Sequence, residues 1–398
     1  MAVARRSSAP LLTAICGFAV LAAPAIAYSL GLRATPNQNR ATTDFDDLHV
    51  GWDGLSTIGD FVDDRLPLRS VATDIDSWID RHVFDEEPAF GGSASPRVIR
   101  GDQGWLFLND DVTAACSSLA TESADLDRLV RFADTIAASG RAVTIAVAPN
   151  KSTVYADLLP AEFPGRDCLV DYSDRLWTYF SSASGDFTWV DLRTELTEAR
   201  SESLESLYLP LDSHWNTLGA TVATKAIVEA IQPGIWDDSA IVDLGAGEYS
   251  GDLTLLLGDS TVDVTPRVGV DRPGLIGQPE EVRDSGDVNQ IDRTRRYSGD
   301  GVTLIPGRTV ILMDSFGVYA IDQLSPWFEE VSFFHLSIDD PELLARRVAA
   351  ADRVVFLTAE RLTATRFADP PRDVYIAQLG NDQVLEILRD QLAIEGAP

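Results

Sequence analysis

From residue 97 onward, apolar runs of strand length alternate with stretches of helical spacing. Ala142–Ala148, Thr188–Leu192, Thr309–Asp314, Val331–Phe334 and Val354–Leu357 are short and apolar along most of their length. They lack the in–out alternation of a sheet that faces water on one side. Between them, apolar residues recur every three or four positions over 121–139, which Gly140 ends, and over Leu218–Ile231, which Asn216 or Thr217 can cap. Short buried strands separated by helices predict a mainly parallel sheet covered on both faces, an α/β domain over residues 97–398. Val98–Arg100 and Trp105–Leu108 flank Gly101-Asp102-Gln103-Gly104 and predict a hairpin. Between 232 and 308 the pattern decays into Gly, Asp, Pro and Arg, which predicts a long, weakly structured insertion. Val384–Ala393 predicts a final helical stretch.

The first 96 residues follow a different pattern. Arg5 and Arg6 precede an uncharged, mostly apolar run from Ser7 to Leu32. The run is long enough to cross about 30 Å of hydrocarbon, and Ala25-Ile26-Ala27 also fits the small-x-small rule for cleavage. Residues 1–33 therefore read as a signal peptide or signal anchor, with the arginines keeping the N-terminus inside and the rest translocated. Residues 34–55 are a polar tether. Ile58, Phe61, Val62, Leu66, Leu68, Val71, Ile75, Trp78 and Ile79 then recur at helical spacing, broken at Pro67. With the Gly-, Ser- and Pro-rich linker 85–96, this makes 34–96 a tether and helical stalk. The expected location is the cell envelope, outside the cytoplasm, either membrane-anchored or released after cleavage near Ala27.

Charge narrows the partners. The formal net charge is −30 and the only lysines are Lys151 and Lys225. Nucleic acid is excluded, because phosphate binding needs concentrated positive charge. Lying flat on an anionic membrane is disfavoured as well, leaving the N-terminal segment as the only membrane contact. Of the three cysteines, Cys16 lies within the N-terminal apolar run. Cys116 and Cys168 remain as a pair in an exported domain. A disulfide between them would contribute about 4 kcal/mol on the chain-entropy view; the alternative is two unpaired buried thiols.

The candidate chemistry centres on Leu209-Pro210-Leu211-Asp212-Ser213-His214-Trp215-Asn216. A carboxylate two residues before a histidine can accept the ring N–H, fixing the tautomer and leaving the other nitrogen as a base. A nucleophile for it stands in Thr309-Val310-Ile311-Leu312-Met313-Asp314-Ser315-Phe316-Gly317. There an apolar strand ends in a serine before a helix start, exposing a hydroxyl at the carboxyl edge of a parallel sheet. Gly258-Asp259-Ser260 is a rival, but Thr-Val-Asp-Val-Thr-Pro follows it and no helix supplies oxyanion donors. His335 ends Val331–Phe334 with no carboxylate before it and reads as structural. Pro149-Asn150-Lys151 closes the strand 142–148. Asn150 is either an oxyanion donor or a capping turn residue. Trp215 and Phe316 are candidate walls that exclude water from the acyl-enzyme. No Cys/His cluster has metal-ligand spacing, and no phosphate or dinucleotide glycine loop follows a strand, so neither metal nor cofactor is expected.

Several stretches together resemble one family. They are Gly101-Asp102-Gln103-Gly104-Trp105-Leu106-Phe107-Leu108, Ala148-Pro149-Asn150-Lys151-Ser152-Thr153-Val154-Tyr155 with Leu159-Pro160, Asp212-Ser213-His214-Trp215-Asn216, Ser250-Gly251-Asp252-Leu253 and Asp314-Ser315-Phe316. In order and spacing they resemble the SGNH-hydrolase-like domain of alginate O-acetyltransferases of the AlgJ/AlgX type, over most of residues 97–370. The resemblance implies a three-layer α/β/α SGNH-hydrolase-like domain, permuted because the Asp-x-His block precedes the serine. It implies a Ser-His-Asp triad of Ser315, His214 and Asp212. It further implies acetyl transfer to an exported polysaccharide, with the acyl group delivered across the membrane by a polytopic acyltransferase partner. The alginate proteins' carbohydrate-binding β-module is not legible after residue 370, and the acidity fits a polyanion poorly. A neutral cell-wall glycan, a capsule or a glycolipid headgroup suits the chain better. The alternatives are an exported carbohydrate esterase with the same residues and, third, a non-catalytic scaffold or glycan-binding subunit of the envelope.

Overall fold

The computed structural model describes residues 97–118, 122–283, 291–336, 340–363 and 382–395. The chain divides into two units, Met1–Ala94 and Ser95–Pro398, and all the described residues belong to the second. The expected membrane segment, tether and stalk lie outside them.

The hairpin forms as expected, from β1 (Val98–Arg100) and β2 (Leu106–Leu108). Helices α1 (Asp110–Ser118) and α2 (Glu122–Ala137) lead into β3 (Ala142–Ala148). The short α3 (Lys151–Val154) and the long α4 (Arg166–Ser182) precede β4 (Thr188–Val190). Two further helices, α5 (Leu192–Glu202) and α6 (Thr217–Ile231), complete the first half. Asn216 is the N-cap of α6, its Oδ1 accepting the main-chain N–H of Leu218 and Gly219 at 2.9 and 3.1 Å.

The region 232–308 corrects the expectation of a weakly structured insertion. It contains β5 (Ile241–Ser250), a short α7 (Asp252–Leu256) and β6 (Val262–Val270), with β5 and β6 paired as an antiparallel ribbon. The strands β7 (Leu275–Gly277), β8 (Glu281–Val282) and β9 (Asp292–Gly299) follow. These strands were hard to see because their partners are charges. Arg295 binds Glu280 and Asp322, each at 2.7 Å, and Arg296 binds Glu330 at 2.7 Å and Glu281 at 3.3 Å. An antiparallel edge held by ion pairs leaves no apolar run to read.

The remaining elements are β10 (Ile305–Met313), α8 (Ser315–Val318), α9 (Ile321–Leu324), β11 (Phe328–His335), α10 (Pro341–Ala349), β12 (Arg353–Ala359) and α11 (Asp382–Glu395). The main sheet runs β4-β3-β12-β10-β11-β9-β7, with β8 beside β9. β4, β3, β12, β10 and β11 are mutually parallel, whereas β9 is antiparallel to β11. Consecutive residues Ile145, Ala146, Val147 and Ala148 are all fully buried, as are Ile311, Leu312 and Met313. Burial of both side-chain directions means that both faces of the central strands are covered. Helix α11 packs against both α10 and α2, while α5 and α6 form a second group, and β3 touches α2, α5 and α6. The result is the expected three-layer α/β/α domain with a mainly parallel sheet. Cys116 and Cys168 are joined by a disulfide with a Cα–Cα distance of 4.9 Å. No helix among the described residues is long and apolar enough to cross a membrane.

Candidate active site

In the sheet, β3, β12 and β10 are neighbours, so the segments leaving their carboxyl ends meet. β3 delivers Asn150 and Lys151, β12 delivers Glu360 and Arg361, and β10 delivers Asp314 and Ser315. Asp314 is the buried pin of this edge. Its Oδ1 accepts the Phe316 main-chain N–H at 2.8 Å and caps α8. Its Oδ2 accepts the Ala359 N–H at 2.5 Å and the Thr358 hydroxyl at 3.1 Å. The turn bearing Ser315 is thereby fastened to the next strand. Gly317 is required there, because a Cβ would lie 2.4 Å from Cβ of Met313.

Asp212 and His214 arrive on the loop before α6 and are both buried. Asp212 Oδ1 accepts two bonds from His214, one from the main-chain N–H at 2.8 Å and one from Nδ1 at 2.7 Å. With Nδ1 donating, Nε2 is left as an acceptor, and it lies 2.8 Å from Oγ of Ser315. The structure thus brings together the three residues singled out in the sequence. Asp212 Oδ2 accepts the Asp252 main-chain N–H at 2.9 Å. Burial alone would raise the Asp212 carboxyl, but the His214 charge and these hydrogen bonds outweigh it and hold the group down at about 2.

Aromatic rings fix the imidazole on both sides. Tyr319 stacks on it at 4.6 Å with 12° between planes, and Phe316 lies against it at 4.9 Å, tilted by 51°. Trp215 backs Phe316 edge-on at 5.0 Å and donates its indole N–H to the Phe316 carbonyl at 3.1 Å. Trp215 and Phe316 are each 0% exposed. Phe316 thus packs directly against the imidazole and Trp215 holds Phe316 in place.

Asn150 is buried, and its Oδ1 accepts the Arg361 main-chain N–H at 3.2 Å. Its Nδ2 has no hydrogen-bond partner among the described residues. A buried amide held at one end and unpaired at the other is a donor in waiting. Ser260 is exposed in the turn between α7 and β6, and His335 is buried at the end of β11, where its main-chain N–H donates to Ile291.

Three partners of the site were given no role from the sequence, although Asp252 and Lys151 stand in stretches that carry the family resemblance. Tyr319 stands four residues after Ser315, a spacing that puts both on one side of a helical turn. Asp252 accepts the Ser213 N–H at 2.7 Å and its hydroxyl at 2.5 Å, and its Oδ2 is 3.8 Å from His214 Nδ1. Burial and then the neighbouring Asp212 charge push the Asp252 carboxyl up. Lys151 lies beneath the loop 209–212. Asp212, His214 and Asp252 offer ligand atoms within 4.8 Å of one another. Nδ1 of His214 and Oδ1 of Asp212 already satisfy each other there, which suits proton transfer better than cation binding.

Comparison with known proteins shows what the chain is similar to. Residues 98–264 match the family model described as the SGNH hydrolase-like domain of acetyltransferase AlgX. A probable alginate O-acetylase AlgJ of Pseudomonas putida is 28% identical over 204 residues, covering 49% of this chain and 49% of the relative. The Pseudomonas syringae protein of the same description is 24% identical over 200 residues, covering 49% and 48%. The chain thus spans about half the length of the curated relatives it matches. The solved structure of Bacillus cereus PatB1 with a sulfonyl adduct aligns over 70% of this chain and 99% of that one. Its TM-score is 0.50 at 12% identity, a likeness of fold.

Proposed function

We propose that this chain, which belongs to the AlgJ/AlgX-type family, transfers an acyl group, acetyl foremost, to a hydroxyl of an exported glycan through Ser315. The observation that carries the reading is the continuous line Asp212–His214–Ser315, with contacts of 2.7 and 2.8 Å. Ser315 Oγ attacks the donor ester or thioester carbonyl while its proton passes to His214 Nε2, and Asp212 stabilises the resulting imidazolium. The C–O or C–S bond then breaks, the leaving group taking that proton, and an acyl-Ser315 remains. A sugar hydroxyl gives its proton to Nε2 as its oxygen attacks the acyl carbon; the acyl C–Oγ bond then breaks, Oγ takes that proton, and the acylated sugar leaves. Asn150 Nδ2 and the Ser315 main-chain N–H are the proposed oxyanion donors; the first N–H groups of a helix have no partner within it.

The acceptor and partners follow from charge and from the family. A net charge of −30 disfavours a polyanionic glycan and favours a neutral one. A polytopic membrane acyltransferase is the proposed donor of the acyl group. A disulfide in the domain suits the oxidising cell envelope.

The test is exposure of the purified chain and of Ser315→Ala to 4-nitrophenyl acetate, with intact-mass detection. A transient acetyl adduct and chromophore release, both absent from the variant, are expected. Acceleration by neutral oligosaccharides, with acetylated sugar as product, separates transfer from ester hydrolysis. Identical behaviour of wild type and variant refutes Ser315 as nucleophile.

A further inference from the structure

Ser315 follows a central strand of the sheet, whereas Asp212 and His214 lie on a separate loop. The 2.8 Å contact between His214 and Ser315 is only as good as the tie between that loop and the sheet. Lys151 opens α3, three residues beyond the end of β3 and two strands from Ser315, and is 2% exposed. Its Nζ donates to the carbonyls of Leu209 at 3.0 Å, Pro210 at 3.1 Å and Asp212 at 2.6 Å. Three acceptors exhaust the donors of an ammonium. All three belong to the one loop that carries the carboxylate. The rings of Trp105 and Phe107 lie 5.5 and 5.3 Å from Nζ and shield it from water. Burying an ammonium on carbonyl dipoles is costly. Burial draws the Lys151 pKa down to about 8, against the opposing charges of Asp212, Asp252, Asp263 and Asp111. Methionine would fill the same space without that cost, so the convergence on a single loop points to geometry.

We propose that Lys151 is a positioning residue whose ammonium clamps the 209–212 loop and so holds His214 Nε2 against Ser315 Oγ. The inference rests on Ser315 being the nucleophile. It places Lys151 in the reaction through Asp212 and His214, without contact with substrate.

The experiment compares the full chain with Lys151→Met and Lys151→Arg, using 4-nitrophenyl acetate turnover per folded molecule and the downfield proton resonance of His214 Nδ1–H. Lys151→Met is expected to lower kcat by about 10- to 100-fold, as for a catalytic group displaced by about 1 Å. KM should move little, and the Nδ1–H resonance should be lost or broadened. A purely structural role lowers the folded fraction and leaves kcat per folded molecule and the resonance unchanged. That result overturns the proposal. If Lys151→Met does not fold, Lys151→Arg decides. Wild-type kcat is expected to decline as pH rises past about 8, where Lys151 loses its proton; arginine stays charged, so Lys151→Arg should lack that decline, and an identical decline in both proteins is the overturning outcome. Should wild type and Ser315→Ala hydrolyse alike, the acyl-enzyme reading has failed, and the resonance alone then decides for or against the clamp.

Discussion

Replacing Asp212 by asparagine removes one charge and turns one of two acceptor oxygens into a donor, with almost no change in shape. The four contacts of the carboxylate are all to donors: His214 N–H at 2.8 Å, His214 Nδ1 at 2.7 Å, Asp252 N–H at 2.9 Å and the Tyr319 hydroxyl at 3.5 Å. An asparagine amide must turn its NH2 toward one of the two main-chain N–H groups, whichever way it flips. If NH2 faces Asp252, the histidine tautomer survives but the imidazolium loses its counter-charge. If NH2 faces His214, Nδ1 becomes the acceptor and Nε2 carries the proton, so the base is lost. In the first case the two charge centres lie roughly 4 Å apart, and their attraction is about 4 kcal/mol at an effective dielectric constant near 20. At about 1.4 kcal/mol per decade, kcat should fall about 10³-fold. The forced donor–donor contact should also cost about 1–3 kcal/mol of stability. Steady-state release of 4-nitrophenol and urea unfolding measure the two effects separately. A kcat within tenfold of wild type in a folded Asp212→Asn protein refutes the assignment of Asp212 as the group that stabilises the imidazolium.

On the proposed mechanism Asn150→Ala deletes one of two oxyanion donors and should lower kcat by about 10²-fold with little change in KM; equal kcat removes Asn150 from the mechanism. Asp111 is buried and its carboxyl is raised to about 6, first by desolvation, with Arg361 and Ser152 opposing. The folded state therefore binds more protons than the unfolded state between pH 4 and 6, and stability from this group falls as pH rises through that window. Asp111→Asn should flatten the slope and recover at most about 3 kcal/mol at pH 7, read from urea midpoints at pH 4.5 and 7.5. The disulfide spans a separation of 52 residues, so Cys116→Ser with Cys168→Ser should cost about 4 kcal/mol in the same assay while leaving kcat of the folded protein unchanged.

The strands of the inner sheet were legible because burial on both faces writes continuous apolar runs; Ala142–Ala148 was read with its ends correct. The Asp212–His214 pair was legible because its geometry is local, two residues apart in one loop. Its distance from Ser315 was not, since 101 residues separate them in the chain. The ribbon β5–β6 and the edge strand β9 escaped because a strand with one exposed face, or one satisfied by ion pairs, carries polar residues where the apolar signal should stand. Lys151 was placed by the sequence at the end of the strand 142–148, but its role was not legible, because its three carbonyl partners lie about sixty residues away in the chain and only the fold brings them to it.

The order of the site in the chain has a mechanical consequence. The putting together of nucleophile and base at a sheet edge demands only that both reach the carboxyl ends of adjacent strands, so a base loop that precedes the nucleophile strand serves as well as one that follows it. Yet the loop 207–216 is not the exit of any strand of the sheet, and strand pairing cannot fix it. Side contacts must do so. Leu106 N–H donates to the Pro210 carbonyl at 2.9 Å, tying the loop to the hairpin. Leu211 N–H donates to Asp263 at 2.7 Å, tying it to the ribbon, and Ser213 N–H donates to Asp252 at 2.7 Å. Gly251 must be glycine because a Cβ there would lie 2.0 Å from the Leu211 carbonyl oxygen. Lys151 ties the loop to the carboxyl edge of the sheet, together with the Tyr208 hydroxyl, which donates to the Pro149 carbonyl at 2.6 Å, and the Trp215 indole on the Phe316 carbonyl. On the proposed mechanism, the ribbon and the hairpin are thus part of the base's support although neither touches the reacting atoms. Asp263→Ala should therefore lower kcat by several-fold with KM held, and a double substitution with Lys151→Met should cost less than the product of the two, because both act on the same loop. Strictly multiplicative losses would show that the two ties act independently, and the single-loop account of the site would fall.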